Sequence, residues 1–138
     1  MLTADHPAPI VIERMRGHDM VAIAGGTQAL QRTINAVLDI RPELPTTISV
    51  PRPFAAVILK AAAYSADSRD RDRHLYDAAA LLACIQDPFA EAENLGGSDR
   101  SRIRTLTQRL PEGHPAWLTL DRPARTNAQA ALRILSSA

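Results

Sequence analysis

Residues 47–88 read TISVPRPFAAVILKAAAYSADSRDRDRHLYDAAALLACIQDP, and this stretch decides the fold. Thr47 to Val50 is a short β-branched run suited to a strand. Pro51 and Pro53 end it and pre-set the first turn of a helix, where a missing N–H is not needed. From Pro53 to Ala66 the chain is apolar nearly all round, with Phe54, Val57, Ile58, Ala61 and Ser65 on one side. Such a helix belongs in the middle of a domain. Lys60 and Tyr64, four residues apart, share a flank at the border of that buried face. Asp67 to Arg73 (DSRDRDR) makes a solvated charged loop. A second helix, about Asp72 to Ile85, turns Leu75, Ala78, Ala79 and Leu82 inward and carries His74, Asp77 and Leu81 along its other edge. Asp87-Pro88 closes it.

Working outward, Met20 to Ala24 (MVAIA) reads as a strand ended by Gly25-Gly26. Residues 1–19 are a loose lead-in, within which Ile10 to Met15 fits a short strand or a helical turn equally. Thr27 to Ile40 satisfies both periods. Ala29, Leu30, Thr33, Ile34, Val37 and Leu38 form a helical stripe, whereas Thr33 to Ile40 alternates as a strand that would pair with Met20 to Ala24 across the glycines. The strand is preferred for Thr33 to Ile40. Arg41 to Thr46 is a proline-marked loop.

Downstream, Phe89 to Leu95 makes a short helix ended by Gly96-Gly97. Ser98 or Asp99 caps a helix running to Leu110, with Ile103, Leu106 and Leu110 inward and Arg100, Arg102, Arg104 and Arg109 on a basic outer surface. Pro111 to Pro115 is a turn, Trp117 anchors the tail, and the last helix opens at Thr126 with Gln129 completing a capping box. Its buried set is Ala128, Ala131, Leu132 and Leu135. The expected architecture is α+β: one domain over 1–138, with a small N-terminal β-hairpin or sheet (about residues 20–50) packed on a C-terminal bundle of about four to five helices over 51–138.

Composition narrows the function classes. A chain of 138 residues, 46% hydrophobic and 22% charged, can bury a real core, and 4% aromatic residues with abundant alanine favour closely packed helices. Sixteen basic groups against 15 acidic ones give a net charge of +1, so no global field holds a polyanion and any nucleic-acid contact needs a local patch. The single cysteine, Cys84, allows no internal disulfide and no cysteine metal site, and it reads as a buried structural thiol; no disulfide-linked partner is expected. No apolar run approaches a membrane span and no secretory leader is visible, so the expected compartment is the cytoplasm.

The side chains offer few routes to chemistry. Gly25-Gly26-Thr27 lacks the spacing of a Walker or dinucleotide loop. His6, His18, His74 and His114 are scattered, so no metal ligands are assigned. Lys60, the only lysine, and Asp77 remain as the one pair able to carry a reaction. Two helices joined by a short loop pack antiparallel, which brings Lys60 toward His74 or Asp77 with Arg69, Arg71 and Arg73 nearby. Cations of that kind suit a triphosphate. The same spacing also suits a Lys–Asp pair that simply fixes the helical hairpin.

ISVPRPFAAVILKAAAY…RDRDRHLYDAAALL resembles the later part of the nucleotidyltransferase AbiEii/AbiGii toxin family and related actinobacterial proteins, over roughly residues 20 to 90. The resemblance implies a DNA polymerase β-like nucleotidyltransferase fold, an NTP with Mg²⁺, and nucleotide transfer to an RNA such as a tRNA end or to a protein, with an antitoxin-like protein as partner for some members. It places Lys60 at the lysine that contacts the triphosphate and Asp77 at the second aspartate of an RDLYDL-like motif, as catalytic residues. Lys60, Arg69, Arg73 and His74 become the nucleotide-binding set, with His74 standing where the motif's first aspartate would be.

The family's metal site is a glycine helix start followed by Asp-x-Asp. Gly25-Gly26 and Asp39 sit at a comparable distance, but position 37 is valine. The expectation is a shortened or start-misassigned member that begins after the metal-binding strand, with GGTQAL in a later hairpin. Two functions follow: a nucleotidyltransferase-like protein whose active half is missing, supplied by another chain or encoded upstream, or a non-catalytic module that uses the arginines of the Ser98 to Leu110 helix to bind RNA or a protein.

Overall fold

A computed structural model describes residues 2–4, 21–23, 25–41 and 43–138. The elements in chain order are β1 (Leu2–Ala4), β2 (Val21–Ile23), α1 (Gly26–Leu30), β3 (Thr33–Leu38), β4 (Thr46–Pro51), α2 (Pro53–Ala66), α3 (Asp72–Ala83), α4 (Pro88–Glu93), α5 (Asp99–Arg109), a 3₁₀ turn (Pro115–Thr119) and α6 (Arg122–Ser136). The molecule is α+β, a small N-terminal sheet region followed by a helical bundle, as the sequence implies. The segment Ile10 to Met15 lies outside the described residues, as does most of the lead-in.

Strand pairing departs from expectation in two ways. β3 pairs antiparallel with β4, Thr33 opposite Pro51 and Leu38 opposite Thr46, and not with Met20 to Ala24. Inside the lead-in, Leu2–Ala4 forms a strand that pairs parallel with Val21–Ile23. The reason lies in the glycines: Gly25, at φ +82°, opens the helical turn α1 rather than a tight strand reversal. GGTQAL is therefore a short helix, not part of a hairpin, and the residues needed to fold β3 back on β2 are consumed by it. The chain re-enters the sheet at Thr46 as β4. Within that hairpin Ser49 Oγ donates to Asn35 Oδ1 across the strands at 2.8 Å.

The bundle is organised by α2. Pro53 sits in its first turn, and Phe54, Val57, Ile58 and Ala61 are buried along it. α3 returns against α2 and supplies Leu75, Ala78, Ala79 and Leu82 to one continuous core with Ile103 and Leu106 of α5 and Ala128, Ala131, Leu132 and Leu135 of α6. Leu-, Ile- and Ala-rich faces of this kind allow close helix approach and native packing density. Trp117 is buried in the 3₁₀ turn, its Nε1 donating to the Pro111 carbonyl at 2.9 Å, so its indole N–H is satisfied where its ring is dry.

Local chemistry moves several other boundaries. α6 opens at Arg122, four residues before Thr126: Asp121 accepts from the Ala124 N–H at 2.8 Å and Pro123 lies in the first turn. Thr126 donates to the Arg122 carbonyl inside the helix, and Gln129 reaches the Glu112 carbonyl instead of closing a capping box. α3 ends at Ala83, which places Cys84 at its C-cap with an exposed thiol rather than a buried one. No helix among the described residues is long and apolar enough to cross a membrane.

Candidate functional site

The α2–α3 hairpin positions the candidate site. Lys60 lies in the second half of α2 and Asp77 in the middle of α3, and Lys60 Nζ donates to Asp77 Oδ2 at 2.6 Å. Nearer the turn, Arg71 Nε donates to the Tyr64 carbonyl at 2.9 Å, and its guanidinium lies over the Tyr64 ring at 4.7 Å. These two rungs, 60 to 77 and 64 to 71, are what an antiparallel return produces. The Lys60 and Asp77 side chains keep 35% and 49% of their surface, so the pair meets solvent.

The turn itself is built on Asp67, a residue the sequence reading left in a generic charged loop. Its Oδ1 accepts from the N–H groups of Arg69 at 2.8 Å and Asp70 at 3.4 Å, an Asx-type turn that reverses the chain. Its Oδ2 receives Arg73 Nη2 at 3.3 Å and lies 3.1 Å from His74 Nε2. The Arg69 N–H, above all, holds the Asp67 carboxyl down at about 2; burial opposes this, and the Asp70 N–H, His74 and Arg73 add to the lowering. The signal was present as Asp67-Ser68-Arg69-Asp70, with an aspartate two residues before the turn's N–H.

The five candidate residues thus fall into two groups. Lys60 and Asp77 meet directly. Arg73 and His74 turn toward Asp67, as does the backbone of Arg69. His74 is buried rather than lying on an open edge with Asp77, and because a carboxylate only accepts, Nε2 is the donor to Asp67. Its Nδ1 is buried with no hydrogen-bond partner among the described residues. The donor set does not fit the magnesium that the family resemblance implies. Asp77 spends one oxygen on Lys60, and no group of three or more His, Cys, Asp or Glu residues able to hold a metal is formed among the described residues.

A second polar junction ties α1 to the bundle. Arg102 Nη1 donates to Gln28 Oε1 at 2.8 Å and packs against Gly25, where an added Cβ would stand 2.5 Å from that nitrogen. A Cβ added at Gly97, which has φ +53°, would likewise stand 2.5 Å from Gln28 Nε2. Arg32 Nη1 donates to Asp99 Oδ2 at 2.9 Å, and the guanidinium lies over the Phe54 ring. Asp99 is fully buried and also accepts the Gly96 N–H. The basic surface expected on α5 is therefore divided: Arg102 serves this junction, while Arg100, Arg104 and Arg109 stay exposed.

Comparison of the chain with protein-family models, with curated proteins and with solved structures returns no match.

Proposed function

We propose that this chain is a nucleotidyltransferase-like protein that supplies the lysine and arginine half of a nucleotide site and lacks a complete metal-dependent catalytic centre. The observation that carries this reading is the solvent-facing pair of Lys60 and Asp77 at 2.6 Å, the two residues that the family resemblance assigns to the reaction. The apolar faces of α2 and α3 already hold the hairpin together. An exposed ion pair adds only about 0–1 kcal/mol to such an interface. A triphosphate oxygen can therefore replace Asp77 at the Lys60 ammonium with little loss to the fold. Arg69 and Arg73, both exposed at the turn, offer further cationic contacts, and His74 keeps the turn in place through Asp67.

Incubation with each labelled NTP, Mg²⁺ and tRNA tests this. The expected result is label retained on the native protein, released on denaturation, and lost in Lys60→Ala, with none transferred to tRNA. Absence of retained label, or retention that Lys60→Ala leaves unchanged, refutes the nucleotide half-site. Covalent transfer by the chain alone refutes the missing catalytic half.

A second reading, a non-catalytic module that binds a protein partner, draws on a different feature. Ile34, Val37, Leu38 and Ile48 of the β3–β4 hairpin, with Ile40 and Leu44 of its loop, are all exposed. An apolar concentration of this kind on a two-stranded sheet is the usual mark of an interaction surface.

A further inference from the structure

Away from the α2–α3 hairpin, α5 and α6 enclose a cleft of about 580 Å³ whose lining includes Arg100, Arg104, Thr107, Gln108, Ser136 and Ser137. Arg100, Arg104 and Gln108 follow one another at four-residue steps, so they form a single stripe on α5. Among the described residues no acidic side chain lines the cleft, Ile103 and Leu135 give it an apolar floor, and Ala138, the last residue of the sequence, lines it beside Arg100. Arg100 is partly committed, with Nη1 3.4 Å from the Leu95 carbonyl and Nε 3.4 Å from the Ala138 carbonyl. Arg104 has no hydrogen-bond or ion-pair partner among the described residues, which leaves its guanidinium available on its side of the cleft.

The hydroxyl groups add a second requirement. Ser136 Oγ and Ser137 Oγ both donate to the Arg133 carbonyl at 2.9 Å, and Thr107 Oγ1 donates to the Ile103 carbonyl at 3.0 Å. Each hydroxyl has spent its one proton, so it presents lone pairs to the cleft. Guanidinium donors beside hydroxyl acceptors suit a ligand that carries both an anionic oxygen group and O–H donors of its own. We infer that the α5–α6 cleft binds a phosphate ester bearing free sugar hydroxyls, its phosphate on Arg104 and Arg100 and its hydroxyls on Ser136, Ser137 and Thr107. Free sugar phosphates and ribonucleotides share this chemistry.

Calorimetric titration of the full chain with ribose 5-phosphate, AMP and inorganic phosphate tests the assignment. Ribose 5-phosphate or AMP should bind at least tenfold more tightly than inorganic phosphate. Arg104→Glu should weaken that binding by about tenfold or more, as loss of a charge-assisted contact does. Ser136→Ala with Ser137→Ala should remove the preference over inorganic phosphate, and Arg122→Ala, at the far end of α6 from the cleft, should change nothing. Tighter AMP than ribose 5-phosphate assigns the ligand to nucleotides, and equal affinity assigns it to sugar phosphates. No binding, binding no tighter than inorganic phosphate, or binding indifferent to Arg104→Glu overturns the inference.

Discussion

Asp67 shows how one carboxylate can set the geometry around a candidate site without belonging to it. With its carboxyl held at about 2 against an ordinary 3.8, it stabilises the folded state above about pH 4, and that contribution disappears as pH falls through 2. In Asp67→Asn the stability profile measured by chemical denaturation should therefore be flatter between pH 4 and pH 2 than in the parent, and stability at pH 7 should be lower. Lys60 and Asp77 call for the opposite expectation. Both keep solvent contact, so a double-mutant cycle on Lys60→Ala and Asp77→Ala should give a coupling energy below about 1 kcal/mol. A coupling of several kcal/mol would make the pair a structural tie and weaken the argument for ligand exchange. Spacing places Lys60 opposite His74 or Asp77, because an antiparallel hairpin leaves few partners open, and the structure gives Asp77. Spacing missed Asp67 as the partner of His74 and Arg73, because the run Asp67 to Arg73 reads first as solvated charge, whereas its first aspartate acts through the N–H groups of Arg69 and Asp70.

Elements were legible where proline and apolar periodicity agree. α2 runs from Pro53 to Ala66 as read, because Pro53 fixes its start and the polar run from Asp67 its end. α6 was misplaced because two capping residues compete, and Asp121 wins by reaching the Ala124 N–H with Pro123 already set to a helical φ. Asp121→Ala should cost about 1 kcal/mol in denaturant unfolding, whereas Thr126→Ala should cost less. The segment from Thr27 to Ile40 satisfied both periods because it holds both elements, α1 and then β3, and the change of state falls at Gln31-Arg32. The exposed hairpin supports its own prediction. Leu38→Asp with Ile48→Asp, two exposed residues on one face of the hairpin, should change stability by no more than about 1 kcal/mol yet abolish any association made through that face.

Across the whole molecule, the helical bundle carries the stability and the polar junctions set how the N-terminal region sits on it. Trp117 touches the common core from a short 3₁₀ turn, and Trp117→Ala should destabilise the chain by about 3–5 kcal/mol, measured as a shift in denaturation midpoint. Nothing in the sequence announced the junction of Arg32 with Asp99, because its partners are 67 residues apart and neither belongs to a motif. The division into a small sheet region and a bundle was legible because alanine-rich helices dominate from Pro53 onward. Strand partnership was not, since it depends on how far the glycine turn at Gly25 carries the chain before β3 begins.

The central claim is that Lys60 meets a nucleotide triphosphate when it leaves Asp77. Titration of ATP into the parent chain, Lys60→Ala and Asp77→Asn, in the presence and absence of Mg²⁺, addresses it most directly. The account predicts that Lys60→Ala weakens ATP about tenfold or more and that Asp77→Asn, which frees the ammonium, tightens ATP in the absence of Mg²⁺. Equal ATP affinity in all three proteins, or no ATP binding by the parent chain, would contradict it.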